Sequence, residues 1–305
     1  MVENAQKYII GHLDWPSRVR FALGLAVAIG ILGSIGFSVL RPWDPFGAIS
    51  LALTDGSAFV LVRITAVLLA AAVLASILMD GRLKQFGTFA ACIGLLYPVV
   101  KTAGMEYVMV RLQAGEEFEG PPGLRVMWVS MTLEMLAWTV PLLIMLIGSA
   151  VAERWVKDDF EDGLVKGMIK GKDRPQSFLA RGIVAMVITA AVAAVLVGLL
   201  AQSTQKGQVI FAVAAAFFVG PLVADQVLRN DEPVWNVLAV PLVALIVYGY
   251  TSANPERPAG LEGILHLPPN HLAGILPVEY LSAGVAATIF GFWTTERMRH
   301  SKEHE

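Results

Sequence analysis

The chain has 305 residues, of which 56% are hydrophobic and 16% are charged, and its formal net charge is -2. Ordinary soluble domains contain about 45–50% apolar and about 25% charged residues, so this composition excludes a typical soluble protein. The nearly balanced charge gives no reason to expect a nucleic-acid partner, and a single cysteine, Cys92, excludes an intramolecular disulfide.

The apolar residues form runs close to the length that crosses about 30 Å of hydrocarbon. We therefore predict an all-α integral membrane protein, a bundle of about eight transmembrane helices. The predicted spans are residues 21–40, 58–79, 87–111, 126–151, 182–201, 209–228, 234–250 and 278–295. Lys101 interrupts the third span, and Gly220-Pro221 is expected to break the sixth. The first run is too long for the core of a cleaved signal peptide, so we expect it to be retained.

The basic residues are distributed unevenly between the two sides of these spans. Of the 23 Lys and Arg residues, sixteen fall on the side of the N-terminus, five on the opposite side and two within spans. Basic residues collect on the cytoplasmic side of a membrane protein. We therefore predict that both termini are cytoplasmic and that the protein lies in the cell inner membrane.

The chain divides into two halves around a charged connector. The first predicted part is a four-helix half with an N-terminal amphipathic segment, residues 1–160. A cytoplasmic amphipathic linker follows at residues 161–181. The second four-helix half is residues 182–305, with an outer cap loop at residues 251–277. The pair Glu153-Arg154 ends the fourth span, and the pair Glu296-Arg297 ends the eighth. This recurrence favours the hypothesis of a parallel 4+4 duplication, although such short pairs also recur by chance.

The linker carries Lys166, Lys170 and Lys172 among glycines, without the spacing of a phosphate-binding loop. Such a segment is expected to meet anionic lipid headgroups at the cytoplasmic face. The expected partners are therefore the lipid bilayer, these anionic lipids, and either another membrane protein or further copies of the chain.

Two charged residues are predicted to lie at similar depths in neighbouring antiparallel spans. Lys101 lies about 21 Å from the inner end of its span and Glu134 about 12 Å from the outer end of the next, at 1.5 Å per residue. An unpaired charge at that depth costs about 2.5–3.5 kcal/mol. We therefore expect the two residues to pair, unless Glu134 is protonated.

Two interpretations of this pair stay open. The pair is either a buried salt bridge that fixes helix register, or part of a polar pocket that opens to the outside and binds a headgroup, a proton or a solute. In the second case Glu106, Arg63 and Tyr97 join Lys101 and Glu134 as binding residues. Arg63 is otherwise expected to extend its charge to the outer interface.

Asp225 follows the Gly220-Pro221 pair near the inner end of the sixth span. A carboxylate beside a broken span is a candidate ion-binding site, and an interfacial acid beside a kinked helix is the alternative. The sequence contains no catalytic motif, no cofactor motif and no metal-ligand spacing. His266 and His271 bracket two prolines, which prevents a helical ligand pair.

Three functional hypotheses follow. The first is a non-enzymatic subunit or scaffold of a membrane assembly, which suits the short loops. The second is a transporter or channel-like protein with a polar site in the outer half of the membrane at Lys101 and Glu134. The third is an integral-membrane enzyme that acts on a lipid-linked substrate, for which paired carboxylates and histidine clusters are sparse.

Overall fold

The structure, a computed structural model, describes residues 14–44, 47–54, 56–113, 120–157, 176–203, 205–229, 232–255 and 271–302. Regular structure in these ranges is helical, apart from one isolated parallel bridge between Ala48 and Ala103. The predicted all-α class is therefore confirmed for the part of the chain that the structure describes.

Nine helices and two short 3₁₀ turns, Leu51–Leu53 and His271–Gly274, make up the described fold. The helices are α1 (Trp15–Leu40, with a π-helical turn at Leu32–Gly36), α2 (Ser57–Met79), α3 (Phe86–Lys101), α4 (Met105–Gln113), α5 (Gly120–Lys157), α6 (Gln176–Leu200), α7 (Lys206–Val227), α8 (Pro233–Ala253) and α9 (Pro277–Glu279, π-helical Tyr280–Gly284 and Val285–Lys302). Helices α1, α2, α5, α6, α7 and α8 are long and apolar enough to cross a membrane. Helix α3 is apolar but shorter, and α9 ends in a charged stretch.

Every predicted span coincides with a helix, and two details differ from the prediction. The third span is two helices, α3 and α4, because the chain becomes extended at Thr102. The sixth span is not broken: α7 continues through Pro221 to Val227. Gly220 lies directly against Thr189 of α6, so this glycine serves close helix packing instead of a break.

The helices run back and forth between two ends of the bundle. We call the end at which α1 begins the near end, and the end at which α1 finishes the far end. Helix α3 lies in the middle of the bundle and packs against α1, α2, α5 and α9. Its first ten residues, Phe86 to Leu95, are buried apart from Ile93. Around these helices, α5 packs against both α2 and α8, and α7 packs against both α6 and α9.

Charged side chains close the near end. Arg20 of α1 pairs with Asp80 after α2 (2.6 Å), and Arg82 pairs with Asp14 (3.0 Å). A hydrogen bond from the Ser17 hydroxyl, helped by the nearby Arg82 guanidinium, lowers the pKa of the Asp14 carboxyl. These contacts tie the start of α1 to the turn between α2 and α3.

Helix α3 packs closely against α2 at Gly87. A Cβ atom at this position would overlap the Ala72 carbonyl oxygen and the Ser76 hydroxyl. Small residues allow such close approach of helices in a membrane. The glycine is therefore needed for the position of the central helix.

We expect Gly87→Ala to lower the free energy of unfolding by about 1–3 kcal/mol, the usual cost of inserting a methyl group into a packed interface. The measurement is denaturant-induced unfolding in mixed micelles. Gly249→Ala is the matched control, since Gly249 is also helical and has no neighbour within 4 Å of the added Cβ. Equal effects of the two substitutions would contradict this packing.

Candidate functional site

The far end is organised around a break in the backbone. Helix α3 has 16 residues and spans about 24 Å at 1.5 Å per residue, less than the hydrocarbon thickness of about 30 Å. Thr102 then turns extended (φ −113°, ψ 169°), and the Ala103 N–H donates to the Gly47 carbonyl at 3.0 Å. Residues 47–54, which contain a short 3₁₀ turn at Leu51–Leu53, and residues 102–104 lie outside the long helices, and their backbone groups need partners.

Lys206, the first residue of α7, supplies partners for this break. Its ammonium donates to the Thr102 carbonyl at 2.6 Å and to the Ala103 carbonyl at 2.8 Å. A cation at the C-terminal end of a helix also meets the negative end of the helix dipole. One side chain thus joins the end of α3 to the start of α7.

Glu279 holds the start of α9 to the same lysine. Its side chain is 1% exposed and lies 3.7 Å from the Lys206 ammonium. Its other carboxylate oxygen accepts a hydrogen bond from the Leu276 N–H at 2.8 Å, a helix-capping contact that suits a carboxylate in the first turn. Tyr248 and Tyr280 donate to the backbone carbonyls of Ile275 and Leu272, so residues 272–276 are also fixed.

Glu134 of α5 anchors the other segment outside the long helices, residues 47–54. Its carboxylate accepts hydrogen bonds from the Ser50 hydroxyl (2.6 Å), the Ala52 N–H (3.2 Å) and the Trp138 indole N–H (3.3 Å). The residue is 3% exposed. The three donors are neutral, so they satisfy the carboxylate oxygens without supplying a positive charge.

Beside Glu134 the structure contains a pocket of about 380 Å³, which we call the Glu134 pocket. It is lined by Leu51, Ala52, Ser57, Ala58, Leu61, Ser130, Leu133, Glu134 and Ala137. Residues 51–52, α2 and α5 each provide part of the wall. Its volume falls within the range of about 300–1,000 Å³ that is typical of small-ligand sites.

A second cavity, of about 430 Å³, lies between α3, α7 and α9. Its lining is apolar throughout and consists of Phe89, Ile93, Leu96, Ile210, Ala214, Ala215, Phe218, Ala283, Ala286, Ala287 and Phe290. It offers no polar side chain that would orient a ligand, so the Glu134 pocket carries the chemistry of the far end.

The structure does not assemble the five predicted binding residues. Lys101 is exposed at the end of α3, with its ammonium 5.9 Å from the centre of the Tyr97 ring. No ion pair joins it to Glu134 among the described residues, so the predicted pairing is wrong, and the alternative, a protonated Glu134, stays a prediction. Loop residues 50 and 52 supply the donors to Glu134 instead.

The other predicted residues have separate surroundings. Arg63 is exposed on α2, and its guanidinium lies 3.9 Å from the centre of the Phe59 ring. Glu106 is exposed on α4. Of the predicted binding set, Glu134 is the member that lines the pocket. Asp225, the predicted ion ligand, lies 3.4 Å from the Arg299 guanidinium of α9.

The sequence interpretation missed Lys206 and Glu279. The predicted spans 182–201 and 209–228 place Lys206 in the loop between them, on the side opposite the N-terminus, where a charge needs no partner. Glu279 follows Pro277 at the start of a long apolar run, and an acidic residue in such a run indicates a buried partner. That signal, combined with Lys206 in the outer loop between the fifth and sixth spans, points to the pair.

No protein-family model, curated protein or solved structure matches the chain. Its function is therefore inferred from its own residues.

We expect Lys206→Met to lower the free energy of unfolding by about 3–5 kcal/mol, because it leaves Glu279 buried without its cation. Lys84→Met is the matched control, since Lys84 is 39% exposed beside Glu296 and exposed pairs contribute about 0–1 kcal/mol. Both values come from denaturant-induced unfolding in mixed micelles.

The double variant Lys206→Met/Glu279→Gln should recover part of this loss, because the charge that lacked a partner is removed as well. A Lys206→Met effect no larger than that of the Lys84→Met control would show that the buried pair does not hold the far end together.

Proposed function

We propose that the chain crosses the cell inner membrane eight times, with both termini in the cytoplasm. Six long apolar helices support membrane insertion. Helix α3 with its extended continuation and helix α9 provide the seventh and eighth crossings. The basic residues concentrate towards the near end, which favours a cytoplasmic near end and a far end that faces outwards.

We further propose that the protein is a non-enzymatic subunit or scaffold of a membrane assembly. The observation that carries this proposal is that the buried charged side chains bind other parts of the same chain. Lys206 and Glu279 connect three helix ends, Glu134 anchors a loop, and Asp225 pairs with Arg299.

These contacts favour a protein whose helices keep fixed positions over one whose helices move during function. Charged groups lie towards the two ends of the bundle, while the buried face of α3 between them is formed by apolar and small side chains such as Phe89, Ala91 and Leu95. A transport path needs polar groups along its length. A scaffold needs fixed helix positions, and the charged contacts at the two ends of the bundle support such positions.

The test is native mass spectrometry of the protein extracted in its own lipids under mild conditions. We expect a stoichiometric assembly, either with another membrane protein or with further copies of the chain, above the 32.8 kDa mass of one chain. A known complex from the same membrane serves as the control for gentle extraction. A monomer that carries lipids alone, while the control complex stays intact, would contradict the subunit proposal.

The second candidate function is transport or channel activity, which the Glu134 pocket favours because it places a buried carboxylate beside an opening. In that case a lone protein with one tightly held solute is the expected result of the same experiment. No group of described residues favours the third hypothesis, an enzyme that acts on a lipid-linked substrate.

A further inference from the structure

The Glu134 pocket combines a carboxyl group with apolar walls. Glu134 is held by three neutral donors, and no described basic side chain forms an ion pair with it. The backbone at Leu51 adds a further neutral contact to this carboxylate. An ionised carboxylate in a medium of low dielectric constant attracts a cation strongly.

We propose that this pocket binds a primary alkylammonium group, with the ammonium at Glu134 and the alkyl part along the apolar wall. The lining offers one carboxylate and the hydroxyls of Ser57 and Ser130 as acceptors, and an ammonium carries three donors. The walls at Leu51, Leu61 and Leu133 suit the attached carbon chain. This proposal names the ligand class for the second candidate function and is equally compatible with a scaffold.

The chemistry of the lining separates a primary ammonium from other cations. Calcium requires six to eight oxygen ligands, while Glu134 is the one carboxylate among the described lining residues. A quaternary ammonium is usually held by aromatic faces, and the described lining contains no aromatic ring. The available acceptors therefore favour a group with N–H donors.

The mouth of the pocket faces the same side as exposed apolar residues. Leu133 in the wall is 60% exposed, and Phe59 and Val62 on the adjoining turn of α2 are 60% and 67% exposed. In a membrane such side chains meet lipid. The ammonium can therefore belong to a lipid headgroup that enters sideways or to a free amine that enters from water.

The experiment uses the full chain in lipid nanodiscs, with its tryptophan indole nitrogens isotope-labelled for NMR. The Trp138 indole N–H donates to Glu134, so its signal reports on the carboxylate, and Trp138→Phe assigns that signal. The nanodiscs contain phosphatidylcholine and phosphatidylglycerol, which carry no primary ammonium. The probes are dodecylamine, butylamine, dodecyltrimethylammonium, and phosphatidylethanolamine incorporated in the bilayer.

We expect a saturable shift of the Trp138 signal with primary ammonium probes and none with dodecyltrimethylammonium. A shift with phosphatidylethanolamine assigns the site to a lipid headgroup, and a shift with water-soluble butylamine assigns it to a free amine. No shift with any primary ammonium, or an equal shift with dodecyltrimethylammonium, would overturn the proposal.

Ala137→Leu tests the location without altering the carboxylate. The larger side chain fills the pocket, so we expect affinity for the primary ammonium probe to fall by about tenfold or more, while the Trp138 signal shows that the fold is kept. Ala191→Leu is the matched control, because Ala191 is an exposed helical alanine on α6. Equal binding by the two variants would remove the pocket as the site.

Discussion

The central helix ends at Lys101, and the arrangement of the far end depends on how the backbone carbonyl groups that follow it find donors. Non-helical backbone at membrane depth is tolerated only where protein groups satisfy it. The Lys206 ammonium bonds the carbonyls of Thr102 and Ala103, and Glu279 balances the lysine charge. The start of α7 and the start of α9 are thereby placed against the end of α3.

Glu134 provides hydrogen-bond partners in the same way for the other segment outside the long helices, residues 47–54. A carboxylate on the long helix α5 takes the hydroxyl of Ser50 and the N–H of Ala52, and so fixes a loop that would otherwise leave polar groups in an apolar environment. The difference between the two carboxylates is their charge balance. Glu279 has Lys206, whereas Glu134 has neutral donors and a pocket beside it. This difference is why a ligand is proposed for Glu134.

The positions of most helices could be predicted from the sequence, because the length and hydropathy of a segment decide whether it can cross a membrane. The run predicted at 58–79 is the helix Ser57–Met79, and Lys101 ends α3 where the charge interrupts the apolar run. The partners of the buried charged side chains could not be predicted from the sequence in the same way. Ser50 lies 84 residues from Glu134, and no local pattern connects them. The predicted halves and their duplication stay predictions.

The most direct test of this arrangement is amide hydrogen exchange in the Lys206→Met variant, compared with the wild-type protein in the same nanodiscs. If Lys206 holds the break, the increase in exchange rate should be larger in residues 99–104 and 272–280 than at the near end around Phe86. Unchanged protection in both far-end segments, or a uniform loss along the whole chain, would contradict the role given to Lys206.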